Sequence, residues 1–293
     1  MISQELNWVK AYLTPNLLML KGCLFPVAGL GTRFLPVTKV VPKELLPILN
    51  KPLIQYAIDE CIEANIFNFS LVISEQKESI KSFFQSDKEL ENSLSDEKRT
   101  LIGGVNKIIE RSNFQYAYQN KPLGLGHAIL SGENTLSKEN FAVILPDDFC
   151  QNINGPSVIS QMAKLSERFP DKCIVAIEEV PMNEVSNYGV IKGDPIRGYE
   201  NVFQVSHMVE KPNPQVAPSN LAIIGRYILT NEIFQIIQDT SADSNGEIQI
   251  TDALNYLAKE GKVLAYKFQG KRIDCGRVQG YVEANNFMND LES

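Results

Sequence analysis

The sequence predicts an α/β fold: a doubly wound, mixed but mainly parallel sheet, followed by an added smaller β portion. Three observations carry that expectation. Short runs of apolar, β-branched residues recur between stretches of helical spacing, as strands buried on both faces require. The first runs read strand, helix, strand, which demands parallel pairing and a right-handed crossover. From Tyr188 onward the texture changes to shorter strands separated by turn residues.

Residues 22–27 (GCLFPV) form a short strand that ends in a glycine-rich turn. Over residues 53–64, Leu53, Ile54, Ala57, Ile58, Cys61 and Ile62 share one helical face, and 69–74 (FSLVIS) return as a strand. A second unit runs through strand 114–119, a helix near 126–131 and strand 141–145 (FAVIL), which stops at Pro146-Asp147-Asp148. Between the two units, residues 85–113 are polar and charged, contain Gly103-Gly104, and read as a surface insertion or lid. A helix near 157–168 precedes strand 172–177 (KCIVAI). After Tyr188 come YGVIKG, NVFQVSHMVEKP and NLAIIGRYIL, then a helix over 248–259, a strand over 263–268 and a last helix from 278 to about 289. In such a sheet, ligands sit outside the carboxyl ends of the strands.

The chain has 293 residues, 28 basic and 35 acidic, for a net charge of −7. With no block of Lys and Arg, neither nucleic acid nor an anionic membrane is expected as a partner. A polyanionic ligand would need a local cluster of cations set against that field. Cys23, Cys61, Cys150, Cys173 and Cys275 are scattered without C-x-x-C, which suits small buried apolar residues in a reducing, cytoplasmic setting. His127 and His207 are the only histidines, so no zinc site is expected. Residues 1–20 carry Glu5 and Lys10 among apolar residues and lack a basic n-region. They read as a disordered or mis-assigned N-terminal extension, with Met19 as an alternative start.

The densest signal is Ala28-Gly29-Leu30-Gly31-Thr32-Arg33-Phe34-Leu35-Pro36, followed by Pro42-Lys43-Glu44. Directly after a strand, Gly29 and Gly31 let backbone N–H groups approach a phosphate or a base. Arg33 offers a bidentate phosphate fork and Lys43 a compact second charge. A dinucleotide fingerprint would need glycine where Phe34 stands, and a P-loop would need G-K-[ST], which is missing. A tight βα turn with solvated cations is the plain alternative for a lone G-x-G.

G-L-G-T-R-F-L-P-x-T-K, P-K-E-L-L-P and K-P-L-I-Q-Y together resemble the sugar nucleotidyltransferases, closely the bacterial enzymes that act on UTP and glucose 1-phosphate. The likeness continues through Gly124-Leu125-Gly126-His127-Ala128, Leu145-Pro146-Asp147, Tyr188-Gly189-Val190, Val209-Glu210-Lys211-Pro212, Gly246-Glu247-Ile248-Gln249 and Asp274-Cys275-Gly276. It implies a Rossmann-like nucleotidyltransferase fold over residues 21–290. About 21–180 would be the nucleotide-binding half and about 181–290 the sugar-binding half. It implies conversion of UTP and glucose 1-phosphate to UDP-glucose and pyrophosphate with Mg²⁺, in a homo-oligomer, dimer or tetramer.

The resemblance also implies roles. Ala28, Gly29, Gly31, Thr32, Gln119 and Gly124 would bind the nucleotide, Gln119 reading the pyrimidine edge. Gly189, Glu210 and Lys211 would bind the sugar phosphate, with Arg33, Lys43 and Lys211 as the catalytic cations and Asp147 and Asp274 as metal ligands. Pro212 favours an extended Lys211. Asp148 competes with Asp147 for the metal; Asp147 is preferred because it directly follows Leu145-Pro146. His127 reads as a structural helix residue. The chemistry fits the inventory on its own terms, since an anionic sugar phosphate needs charge neutralisation and in-line positioning rather than a general base. Another base or sugar, a non-catalytic nucleotide-sugar sensor and an NAD oxidoreductase are the alternatives; Phe34 disfavours the last.

Overall fold

The computed structural model describes residues 20–292. The N-terminal extension read from the sequence lies outside the described residues, apart from Leu20.

Strand β1 (Cys23–Pro26) alternates its side chains between two cores, Cys23 and Phe25 on one face and Leu24 on the other. The first core is covered by α1 (Leu53–Glu63) and α6 (Val158–Ser166), the second by α5 (Gly124–Ser131), α7 (Ile233–Asp239) and α8 (Ile250–Lys259). Sandwiched on both sides, the central strands have no polar face to show, which is why they read as continuous apolar runs.

Among the described residues, β2 (Pro47–Ile48) and β3 (Lys51–Pro52) form a short hairpin apart, and the main sheet has nine strands in the spatial order β5 (Asn113–Tyr118), β4 (Asn68–Ile73), β1, β6 (Phe141–Ile144), β11 (Leu221–Leu229), β8 (Cys173–Glu179), β12 (Val263–Lys267), β10 (Val202–Glu210) and β9 (Gly189–Pro195). On one side, β4, β5, β1 and β6 are all parallel. Then β11 runs antiparallel to both β6 and β8. On the far side, β12 is parallel to β8, while β10 is antiparallel to β12 and to β9. The expected mainly parallel sheet is thus parallel in its first half and mixed in its second. The connection from β9 to β10 is too short for a crossover, so the two strands must pair antiparallel. Strands β9 to β12, after Tyr188, do not form a separate β portion; they extend the same sheet.

Residues 85–113, expected as a lid or insertion, form two helices, α3 (Lys88–Ser93) and α4 (Asp96–Arg111). Gly103 and Gly104 lie inside α4, at about 1 kcal/mol each relative to alanine. The Ser95 cap, which accepts from Lys98 N–H, and the packing of Val105 and Ile108 on the first core offset them.

A two-stranded ribbon, β7 (Asp148–Gln151) with β13 (Lys271–Asp274), sets Asp148 opposite Asp274. It is seated by a small cluster in which Phe149, Ile273 and Cys275 pack on Ile48, Leu53 and Ala284, the last from α9 (Val278–Glu292). This ribbon carries the end of the chain to the carboxyl end of β6. No helix among the described residues is long and apolar enough to cross a membrane. All five cysteines are free, Cys150 partly exposed and the others buried.

Candidate active site

The parallel strands β1, β4, β5 and β6 all end on one rim of the sheet, where the glycine loop, Ser74-Glu75-Gln76, Gln119-Asn120-Lys121 and Asp147-Asp148 lie beyond them. After β1 the chain enters the glycine loop. Gly31 adopts φ 64°, a conformation that favours glycine, and its oxygen accepts from Thr38 Oγ1 at 2.8 Å. A Cβ there would meet Thr38 and the Lys43 stem, so this glycine lets the loop lie against Lys43. Thr32 and Arg33 are exposed in the following 3-10 turn.

Lys43 reaches Asp147, just beyond β6, with Nζ 2.5 Å from Oδ2. Burial pushes the Asp147 carboxyl up, but the Lys43 ammonium outweighs it and holds the carboxyl below its ordinary value. Burial likewise opposes charge on Lys43, yet Asp147 and Glu44 leave its ammonium above the usual range. Next door, buried Glu44 pairs with Lys77 at 2.7 Å, and Lys77 also donates to Val27 O at 2.8 Å. That pair ties the lysine turn to the start of the glycine loop.

Asp147 and Asp148 have different fates. Asp148 is consumed internally: Oδ2 accepts from Gly225 N–H and Oδ1 from Arg272 Nε, both at 2.7 Å. Asp147 and Asp274 both face Gly276. A Cβ on Gly276 would stand 2.9 Å from Asp147 Oδ2, 3.0 Å from Asp274 Oδ1 and 3.5 Å from Arg33 Nη1. Burial raises the Asp274 carboxyl, and the nearby Asp148 and Asp147 charges add to this, opposed by Arg272 and Arg277. Two hard oxygen donors aimed at one glycine, with no Cβ between them, fit a small divalent cation that completes its shell with phosphate and water oxygens.

A cavity of about 380 Å³ opens from this point, with Gly189, Glu210 and Lys211 on its far wall. Glu210 is held by Thr251, whose Oγ1 donates to Oε2 at 2.6 Å. Gly189 leaves room for both, since its Cβ would come within 2.9 Å of Thr251 Oγ1. Lys211 is exposed, with Nζ 3.3 Å from Glu210 Oε1. Its expected extended backbone is not found: φ is 44°, in the left-handed region. The β10 ladder ends with Glu210 opposite Gly189, and Lys211 N–H then donates to Tyr188 O at 2.9 Å. This turn, rather than the proline's preference, sets the conformation.

A second cavity, of about 200 Å³, lies along Ala28, Gly29 and Gln119. Gly124, expected to allow close approach of a base, has its open side filled by the Ile248 backbone, 2.6 Å from where a Cβ would stand. Gly31, Thr32 and Gly124 line neither cavity; the other residues singled out from the sequence line one of the two or, for Lys43, touch Asp147. Sequence reasoning missed Arg272, which bridges Asp148, Glu178 at 2.7 Å and Tyr188 OH at 3.3 Å. Its signal was present: two positions before Asp274 on a strand, it shares that residue's face.

A glycine loop with cations and a carboxylate beyond the carboxyl ends of β1 and β6, met there by a second carboxylate from the ribbon, suits an α/β protein of the nucleotide-handling class. Residues 27–290 match the family model described as nucleotidyl transferase. The chain belongs to that family. A UTP–glucose-1-phosphate uridylyltransferase of Pseudomonas aeruginosa is 52% identical over 271 residues, 92% of this chain and 96% of that protein. The solved structure of an apo UDP-glucose pyrophosphorylase matches with a TM-score of 0.89 and 49% identity, over 94% of this chain and 100% of that one. Another structure, of a UDP-glucose pyrophosphorylase complexed with UDP-glucose, matches with a TM-score of 0.85 and 49% identity, over 93% and 99% of the two chains.

Proposed function

We propose that this chain transfers the uridylyl group of UTP to glucose 1-phosphate, forming UDP-glucose and pyrophosphate. The observation that carries the reading is the convergence of Arg33, Asp147 and Asp274 about Gly276, with Lys43 paired to Asp147 and with Glu210 and Lys211 lining the same cavity. The similarity to uridylyltransferases over nearly the whole chain selects the substrates.

In this reading a phosphate oxygen of glucose 1-phosphate attacks the α-phosphorus of UTP. The bond from that phosphorus to the bridging oxygen breaks, and its electron pair leaves with pyrophosphate. The nucleophile is already anionic, so the protein's task is positioning and charge neutralisation. Ala28, Gly29 and Gln119 hold the base, while Arg33 and Lys43 hold the triphosphate. Lys211 binds the sugar phosphate and Glu210 accepts from sugar hydroxyls. Asp147 and Asp274 would hold Mg²⁺, which when bound neutralises charge on the phosphates. Nucleotide recognition thus falls to residues of about 21–180 and sugar recognition to those of about 181–290. The working form is a homo-oligomer, which sedimentation would check.

The deciding experiment measures pyrophosphate release from a panel of nucleoside triphosphates against a panel of sugar 1-phosphates, with Mg²⁺ or with EDTA. The expected result is an optimum at UTP with glucose 1-phosphate and no turnover in EDTA. An optimum at dTTP, or at another sugar phosphate, would replace the substrate assignment; no turnover with any pair would leave a binding protein.

A further inference from the structure

Four cations line the cavity that opens beside Gly276: Arg33, Lys211, Arg272 and Arg277. The first three are committed. Arg33 Nη1 donates to Gly276 O at 3.5 Å, and its place on the glycine loop gives it to the triphosphate. Lys211 shares its charge with Glu210. Arg272 is spent on the protein itself: its side chain is 7% exposed, and it pairs with Asp148 and Glu178 and donates to Tyr188 OH.

Arg277 is held at its root. Its N–H donates to Asp274 O at 3.4 Å, and its own O accepts from Tyr281 N–H at 2.9 Å. The side chain is 40% exposed, with Nε 3.1 Å from Asp274 Oδ2. Gly276 N–H donates to the other oxygen, Oδ1, at 3.0 Å, so the guanidinium and the glycine engage different oxygens of one carboxylate. The Nε contact uses one of the five N–H donors of a guanidinium and leaves the four on Nη1 and Nη2 for a ligand. A half-exposed ion pair adds little to stability, so the fold alone does not account for an arginine here.

We propose that Arg277 is a further catalytic residue of the transfer, its Nη1 and Nη2 donating to the phosphate of glucose 1-phosphate alongside Lys211. The inference rests on the uridylyl-transfer reading and supplies a cation that reading lacks. A dianionic phosphate enters a cavity that also holds Asp147, Asp274 and Glu210, and the single ammonium of Lys211 does not match two negative charges. A planar guanidinium fork meets two phosphate oxygens at once, which a lysine cannot do.

The test follows the reaction in both directions for wild type, Arg277→Gln and Arg277→Lys. In the forward direction Arg277→Gln should raise KM for glucose 1-phosphate by about tenfold, the reach of one charge-assisted hydrogen bond, and leave KM for UTP within about twofold. In reverse, KM for UDP-glucose should rise by a similar factor and KM for pyrophosphate should not, because the phosphate in question stays with the sugar. Arg277→Lys keeps the charge but loses the fork, so its KM for glucose 1-phosphate should fall between the two. The melting temperature should hold in both variants. A rise confined to UTP and pyrophosphate would put Arg277 on the leaving group and overturn the proposal. So would a raised Mg²⁺ requirement with KM for glucose 1-phosphate unchanged, which would mean that Arg277 acts only through Asp274. A wild type that does not turn over UTP with glucose 1-phosphate overturns the uridylyl-transfer reading as well.

Discussion

Replacing Gly276 with alanine tests the centre of the cleft more sharply than removing any charge. Gly276 is not among the glycines with positive φ, so its backbone accepts an alanine. The new methyl carbon would sit 2.9 Å from Asp147 Oδ2 and 3.0 Å from Asp274 Oδ1. Both contacts are with the far ends of side chains, so the carboxylates swing aside and the fold survives. Restoring an ordinary 3.4 Å contact moves each oxygen by about 0.5 Å. A misplacement of about 1 Å can cost on the order of 100-fold in rate, so half of it at each carboxylate amounts to about tenfold apiece. Together they lower kcat/KM by about 100-fold, or ~2.7 kcal/mol. Steady-state pyrophosphate release, titrated with Mg²⁺ and paired with a thermal melt, reads this directly: turnover falls, the metal requirement rises and the melt is unchanged. A folded variant within about twofold of wild type at every Mg²⁺ concentration would refute the assignment of Asp147 and Asp274 to one cation.

The same structure sets further outcomes. Glu60→Ala should lower stability by about 3–5 kcal/mol in urea titration, because it strands the buried Arg226 guanidinium, 2.9 Å from Glu60 Oε2; an unchanged midpoint would sink that reasoning. Lys211→Ala should raise KM for glucose 1-phosphate by about tenfold and leave KM for UTP alone. Its side chain is 57% exposed, so its ion pair should add little to the melting temperature, and equal effects on both substrates would contradict its position. Asp147 has a folded-state carboxyl held below its ordinary 3.8, so the stabilisation it draws from Lys43 is present above that value and lost as pH falls through the folded one. The melting-temperature gap between wild type and Asp147→Asn should therefore be flat from about pH 5 to pH 8 and narrow below about pH 4. A gap unaltered in strong acid would count against the pair.

The strands were legible because burial on both faces forces continuous apolar runs, and FAVIL or KCIVAI carry no other interpretation. The parallel pairing of β1 with β4 was legible too, from the helix between them, but the directions of the later strands were not. Nothing in NLAIIGRYIL marks β11 as antiparallel to both neighbours; that depends on where the chain has been before. The helix over Asp96–Arg111 was hidden by its two glycines, whose unfavourable propensity is outweighed by a cap and by contacts remote in sequence. At the site, the glycine loop, Asp147 and Asp274 stood out through their neighbours in sequence. The groups that hold them did not. Glu44 and Lys77 are 33 residues apart and Glu60 and Arg226 are 166 apart, distances over which composition carries no pairing signal. A charged residue within an apolar strand, as Arg226 is, does announce that some carboxylate must meet it. Lys211 shows the limit of a local rule, since a bond to Tyr188 overrides the preference set by the next residue.

The ribbon of β7 and β13 makes assembly of the cleft a late event in the life of each molecule. Strand β12, which completes the main sheet, ends at Lys267, whereas Asp274 arrives only with the ribbon. During synthesis from the N-terminus, every strand of the main sheet is thus made before Asp274 is added. A chain cut after Gly270 should keep the far-UV circular dichroism of the sheet and lose turnover; an active truncated chain would show that the last carboxylate is dispensable. A copy without the ribbon would carry Arg33, Lys43 and Asp147 but lack the second carboxylate.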